Sequence, residues 1–294
     1  MVGKQANFVE CFVPTLDLIY DIIEFPMFDM GAYFGCEYSD GNLYVYGGSK
    51  RDTLSNNCWA LNFNDPSRYR WKKMKNMSTN RCYVASCVYR NTLVAIGGFD
   101  GRDRLNTVEY LDPIRNIWIS MPRMIHARSD ACAVVLNDKI YVAGGINRNC
   151  IEHTMEMFDP NKKKWISCAD MLIPRTSFAM VAFKGRIWAL GGNSGNRRVS
   201  SVDSYDPLTN SWQIEANMNE QRSTFAATVF KNKILVFGGY NGGGPISTVE
   251  CYNPDIGIWT IENHLNYDRS GHSVVHLPYD AASKFDVPTI KLPN

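Results

Sequence analysis

The sequence predicts an all-β fold, a six-bladed β-propeller of four-stranded antiparallel blades, and three observations carry that expectation. Landmarks recur at one spacing of 47 residues: Arg81, Arg128, Arg175, Arg222 and Arg269 form one series, and Trp71, Trp118, Trp165, Trp212 and Trp259 form another. Gly-Gly pairs fall between them at 47/48, 97/98, 144/145, 191/192 and 238/239. Each period holds four short apolar runs, in the clearest repeat 131–136, 139–143, 154–158 and 164–168, punctuated by Gly, Asp-Pro and Asn-Asp turns and too short for helices. A repeat of this length signals stacked supersecondary units, and a four-stranded unit unable to cover both its faces alone describes a propeller blade.

In chain order, residues 8–25 read as the outer part of a blade. Val9 to Pro14 matches the strand that precedes Pro in the other repeats, and Leu18 to Ile23 matches the next, with Ile19 or Tyr20 at the Trp position. The Gly-Gly expected ahead of Pro14 would fall before Met1, so the first two strands of this blade are missing. From 31 to 77 the first complete blade carries Gly31 at the repeat Arg position and three extra residues between Gly47 and Trp71. Regular blades follow at 81–124, 128–171, 175–218 and 222–265. Arg269 then opens another inner strand, Ser273 to Leu277, with no Gly-Gly behind it. The expectation is a closing sixth blade shared by the two ends, with 269–277 as its inner strand, 8–25 as its outer strands and 278–294 as a tail. Sharing a blade removes open edges. Its second strand would come from 284–292, where Pro288 disfavours a central strand, or from chain upstream of Met1; the second reading is preferred.

Composition narrows the function. A formal net charge of +2 gives no general drive toward nucleic acid or membrane, and neither is expected as a partner. There is no 18-residue apolar window, and Met1 to Glu10 lacks the pattern of a signal peptide, so a cytoplasmic protein is expected. The nine cysteines include no C-x-x-C pair and read as reduced thiols, with Cys150 alone placed in a polar loop. Of the five histidines, His272 and His276 are four apart, about 13 Å along a strand and too far for one ion. With no G-x-S-x-G and no H-E-x-x-H, no catalysis, metal or cofactor is expected.

The Gly-Gly after an apolar strand, the Thr-Val-Glu-x-Tyr-x-Pro run within Ser247 to Pro254 and a Trp five residues past the Pro resemble the kelch repeat, over nearly the whole chain. A residue used in every blade is scaffold, so the tryptophans and glycines are read as packing residues. The resemblance implies a mixed role for the repeat arginines, some buried at blade junctions and some reaching the binding face.

Function is expected where the repeats differ, in the loops after Gly-Gly and the turns entering each inner strand, which share one face in kelch proteins. By position these are Ser49, Phe99, Ile146, Asn193 and Tyr240 after the glycines. After the Arg position come Ala32/Tyr33, Cys82/Tyr83, Ser129/Asp130, Thr176/Ser177, Ser223/Thr224 and Ser270/Gly271. The same loops carry Lys50, Arg51, Arg102, Arg104, Arg148, Arg197 and Arg198 against Asp52, Asp100 and Asp103. Hydroxyls and aromatics around an opening suit a peptide lying across it, and the excess of cations favours an acidic or phosphorylated one. The expected protein-binding face is Tyr83, Phe99, Arg102, Ser129, Asp130, Arg148, Thr176, Asn193, Arg197, Arg198, Ser223, Tyr240 and Ser270.

The resemblance further implies the substrate-recognition domain of a kelch-like adaptor for a Cullin-3 ubiquitin ligase, whose BTB and BACK domains would lie upstream of this chain. Arg81 to Val84 and Gly97 to Gly101 with Leu105 to Thr107 are similar to the spermatogenesis-linked branch of that family. The alternative is a cytoskeletal, actin-binding kelch scaffold.

Overall fold

A computed structural model of the chain describes residues 8–13, 18–24, 32–51, 53–64, 71–148 and 150–276. Every regular element among them is a strand.

Five sheets of four strands follow one another along the chain. The first blade is Ala32–Ser39, Asn42–Lys50, Cys58–Asn62 and Trp71–Lys73, with the short Thr53–Leu54 folded back onto Asn42–Lys50. The second is Ala85–Tyr89, Thr92–Ile96, Val108–Asp112 and Ile117–Met121; the third is Cys132–Leu136, Lys139–Ala143, Met155–Asp159 and Lys164–Ser167. Ala179–Phe183, Arg186–Leu190, Val202–Asp206 and Ser211–Glu215 make the fourth, and Ala226–Phe230, Lys233–Tyr240, Pro245–Asn253 and Ile258–Arg269 the fifth. Each strand pairs antiparallel with the next in its blade, so two turns of every blade point to one end of the molecule and the remaining connections to the other.

The core lies between blades. Val94 and Ile96 of the second blade bury against Ile140 and Val142 of the third. Ala143 and Met155 meet Ile187 and Ala189 at the next junction, and Leu190 and Val202 meet Ile234 and Val236 at the one after. Each such side chain contributes ~1.5–3 kcal/mol on leaving water, and a blade alone leaves half of them exposed.

The tryptophans tie each blade to its predecessor. Nε1 of Trp118, Trp165, Trp212 and Trp259 donates to the carbonyls of Lys75, Pro122, Ala169 and Ala216, each at 2.9 Å. One hydrogen bond repeated at every junction is the scaffold role that recurrence implied.

The expectation of six blades is corrected to five among the described residues. Phe8–Val13 and Leu18–Glu24 do pair antiparallel, but as a separate two-stranded sheet. The inner strand expected at Ser273 to Leu277 does not form: residues 270–276 have no strand pairing, and Arg269 ends the last strand of the fifth blade, opposite Ile246. The physical reason is partner supply. An inner strand is held by a second strand, and Ser273 to His276 have none among the described residues. Leu277, the 284–292 segment and the 278–294 tail lie outside the described residues, as does Gly31.

Candidate functional site

The glycine pairs are where consecutive blades interlock. Gly97 and Gly98 have φ of 60° and 100°, and a Cβ on Gly97 would stand 2.4 Å from the Arg128 carbonyl of the next blade. The Gly97 carbonyl accepts from Arg81 Nη1 of its own blade at 2.8 Å, while Gly98 N donates to the Arg128 carbonyl at 2.9 Å. Only glycine combines that left-handed backbone with that approach.

Four repeat arginines are scaffold. Arg81, Arg128, Arg175 and Arg222 are at most 1% exposed and bind Glu109, Glu156, Asp203 and Glu250 through Nη2. Three of those carboxylates also accept a backbone N–H from the turn preceding the Arg, at Ser78, Ile125 and Asn219. Shared backbone and carboxylate partners offset the cost of burying these charges, although Nε of each arginine is buried with no partner among the described residues. The reading that some repeat arginines reach the binding face does not hold for these four.

Above them the backbone forms a belt along the Gly-Gly end of the blades. The residue after each Arg bridges the residue after Gly-Gly: Cys82 with Phe99, Ser129 with Ile146, Thr176 with Asn193, and Ser223 with Tyr240. One residue on, Tyr33, Tyr83, Asp130, Ser177, Thr224 and Gly271 all have positive φ, between 50° and 68°. They are chained by hydrogen bonds, Tyr83 N to Tyr33 O at 2.9 Å, Asp130 N to Tyr83 O at 3.0 Å, Ser177 N to Asp130 O at 3.3 Å, Thr224 N to Ser177 O at 2.8 Å and Gly271 N to Thr224 O at 2.7 Å. A β-branched Thr224 in this region is strained, and the belt bonds on either side hold it there.

The predicted residues divide across this belt. Ser129, Thr176 and Ser223 are buried in it; Tyr83, Asp130, Phe99, Asn193, Arg198 and Tyr240 are half-buried at its rim; Arg102, Arg148 and Arg197 are exposed in the outer loops. Ser270 is exposed and lies outside the bridge pattern, because no Gly-Gly supplies its partner. Tyr240 ends the strand Lys233–Tyr240 and so belongs to the scaffold as well as the rim.

Two guanidiniums are stacked in place. Arg104 lies over Phe99 at 4.5 Å, and Arg198 lies over Tyr240 at 4.8 Å with Nε reaching Ser223 Oγ at 3.4 Å. Arg104 was absent from the predicted face, yet it stands 94 residues, two repeats, before Arg198, so periodicity carried the signal.

Charge and unmet polarity complete the site. Asp100 is consumed by its own loop, accepting from the backbone of Arg102 and Asp103, which draws its carboxyl below the usual range. Asp103 lies 3.7 Å from Arg102, and Asp52 is outside the described residues. Asp130 is pushed up to about 6 by burial, against the opposing pull of Arg104 and a 3.5 Å hydrogen bond from Ser177 Oγ. Ser129 Oγ, Thr176 Oγ1, Asn193 Oδ1 and Arg104 Nε are buried with no partner among the described residues. Unmet buried groups of both kinds, clustered at one opening, can be satisfied by a ligand backbone.

Among the described residues no cluster of His, Cys, Asp and Glu could hold a metal ion. The eight cysteines from Cys36 to Cys251 are free, and Cys150 is the exposed one among them. Among the described residues no helix is long and apolar enough to cross a membrane.

A model of the KLHDC2/KLHL20/DRC7 Kelch-repeats domain matches residues 28–171, and the Kelch motif matches 174–219 and 221–266. No curated protein matches the chain. Among solved structures, that of YjhT superposes with a TM-score of 0.72 over 82% of this chain and 86% of YjhT, at 15% identity, a likeness of fold alone.

Proposed function

From the premise that this chain is a protein-binding kelch-repeat propeller, we propose that its Gly-Gly end grips an extended acidic or phosphorylated segment of a partner protein across the mouth of the ring. The observation that carries this reading is the belt, where Ser129 and Thr176 present buried, unpartnered hydroxyls between two stacked guanidiniums, Arg104 and Arg198. A peptide backbone satisfies the hydroxyls, its acidic side chains meet Arg102, Arg148, Arg197 and Arg198, and Tyr240 and Phe99 supply anchor area. The role proposed for that grip is substrate recognition for a Cullin-3 ubiquitin ligase, with the cullin bound through a BTB domain outside residues 1–294. That role and the likeness to the spermatogenesis-linked branch rest on sequence resemblance.

The test is the affinity of a partner recovered by pull-down, measured at two salt concentrations. Tyr240→Ala should weaken binding by ~1–3 kcal/mol through lost contact area. Arg197→Glu with Arg198→Glu should slow association and reduce its salt sensitivity, since rim charges act mainly on encounter. Unchanged affinity in both folded variants overturns the site. Co-precipitation of Cullin-3 with the natural full-length protein tests the ligase role, and co-sedimentation with actin filaments in its place supports the cytoskeletal alternative.

A further inference from the structure

The opposite end of the propeller carries a second feature, made by the turns that join first to second and third to fourth strands. In the third, fourth and fifth blades these turns and the strand starts that follow them hold Lys139, Lys163, Lys164, Lys184, Lys231 and Lys233, none with an ion pair among the described residues. The acids beside them are mostly occupied. Asp138 pairs with Arg90, Asp206 pairs with Arg186 at 3.1 Å, and Asp159 accepts the backbone N–H groups of Asn161 and Lys162. Asp255 is the remaining one.

Within this basic field a cleft of about 290 Å³ opens between the third and fourth blades. Its lining includes Tyr141, Met157, Ile166 and Leu208, the last 92% exposed, with Asn137, Ser167 and Asn210 as polar neighbours. Lys139 lines it, close enough to add to the lowering of Asp159 and to oppose the burial that raises the Cys168 thiol. Clefts for drug-sized ligands run ~300–1,000 Å³, so this one, at their lower end, has room for one large side chain. A flat anionic surface would use the lysines and leave the cleft empty.

We propose that this end is a second docking surface, for an acidic segment of a partner protein that seats one large apolar side chain in the cleft between the third and fourth blades. The lysines draw the segment in, and the cleft sets its register.

The probe is a fluorescent polyglutamate peptide carrying one central leucine, compared with the same peptide carrying alanine. The intact chain should bind the leucine peptide about tenfold more tightly than the alanine one, and added salt should weaken both. Lys163→Glu with Lys164→Glu, in an exposed turn, should weaken binding about tenfold, and Leu208→Glu should remove the preference for leucine. Arg197→Glu with Arg198→Glu, at the other end, should leave the preference for leucine unchanged whatever it does to overall affinity, which separates this surface from the mouth. Equal binding of the two peptides overturns the proposal, as does indifference to the lysine reversals in a variant with an unchanged melting temperature. Capture by phosphatidylserine vesicles or duplex DNA without peptide binding overturns it too.

Discussion

Arg128 enters a closed pocket with both terminal nitrogens engaged, by Gly144 and Thr154 carbonyls and by the Glu156 carboxylate. Removing it leaves Glu156 charged and buried, so Arg128→Met should cost ~3–5 kcal/mol in denaturant unfolding, and adding Glu156→Gln should cost less than the sum of the two. His272 shows the same pocket logic with an apolar neighbour: it sits on Gly238 as Phe178 sits on Gly144 and Phe225 on Gly191. Burial lowers it to about 4, whereas Asp130 is raised to about 6. The signs oppose. Unfolded chain takes up the His272 proton more readily, so that residue makes stability rise with pH from about 4 to its ordinary 6.5. Folded chain holds the Asp130 proton more tightly, so that residue makes stability fall from its ordinary 3.8 to about 6. Melting temperatures across this range should rise less steeply with pH in His272→Phe and more steeply in Asp130→Asn.

At the scale of the element, a blade is held by its junctions more than by its own sheet. Trp165 is a clean probe, with its ring in the core between the second and third blades and Nε1 on Pro122 O. Trp165→Phe should cost ~0.5–1.5 kcal/mol beyond the small change in packing, the value of one hydrogen bond, whereas Trp165→Ala should cost ~3–5 kcal/mol. Gly144, at φ 63° with the Arg175 carbonyl 2.5 Å from where a Cβ would stand, tests the backbone half of the junction. Gly144→Ala should exceed the ~1–2 kcal/mol of left-handed strain, because the clash adds to it. Both are read from chemical denaturation of the purified variants.

For the whole molecule, the C-terminal segment is attached at identifiable points. Gly271 N bonds Thr224 O, and Val274 packs with Leu235, Phe237, Val249 and Cys251 of the fifth blade. Removing residues 270–294 should therefore loosen the fifth blade first. Amide exchange should quicken across Pro245–Asn253 and Ile258–Arg269 while Thr92–Ile96 and Lys139–Ala143 stay protected. Uniform protection across all blades would show that the segment adds nothing to the seam.

Periodicity alone determined the strand content and the scaffold role of Trp and Gly-Gly, because a chemistry repeated every 47 residues must serve the geometry that repeats. It also placed Tyr83, Phe99, Asp130, Thr176 and Tyr240 at one opening. Tertiary structure decided the rest. Whether an apolar run becomes a strand depends on a partner edge, which is why Ala226–Phe230 forms and Ser273 to His276 does not. Whether an arginine is scaffold or ligand site depends on which carboxylate faces it: Arg175 meets Asp203 in the dark of the core, while Arg104 and Arg198 lie on aromatic rings at the rim. Such partners sit far off in sequence, and only the stacking of blades brings them within reach.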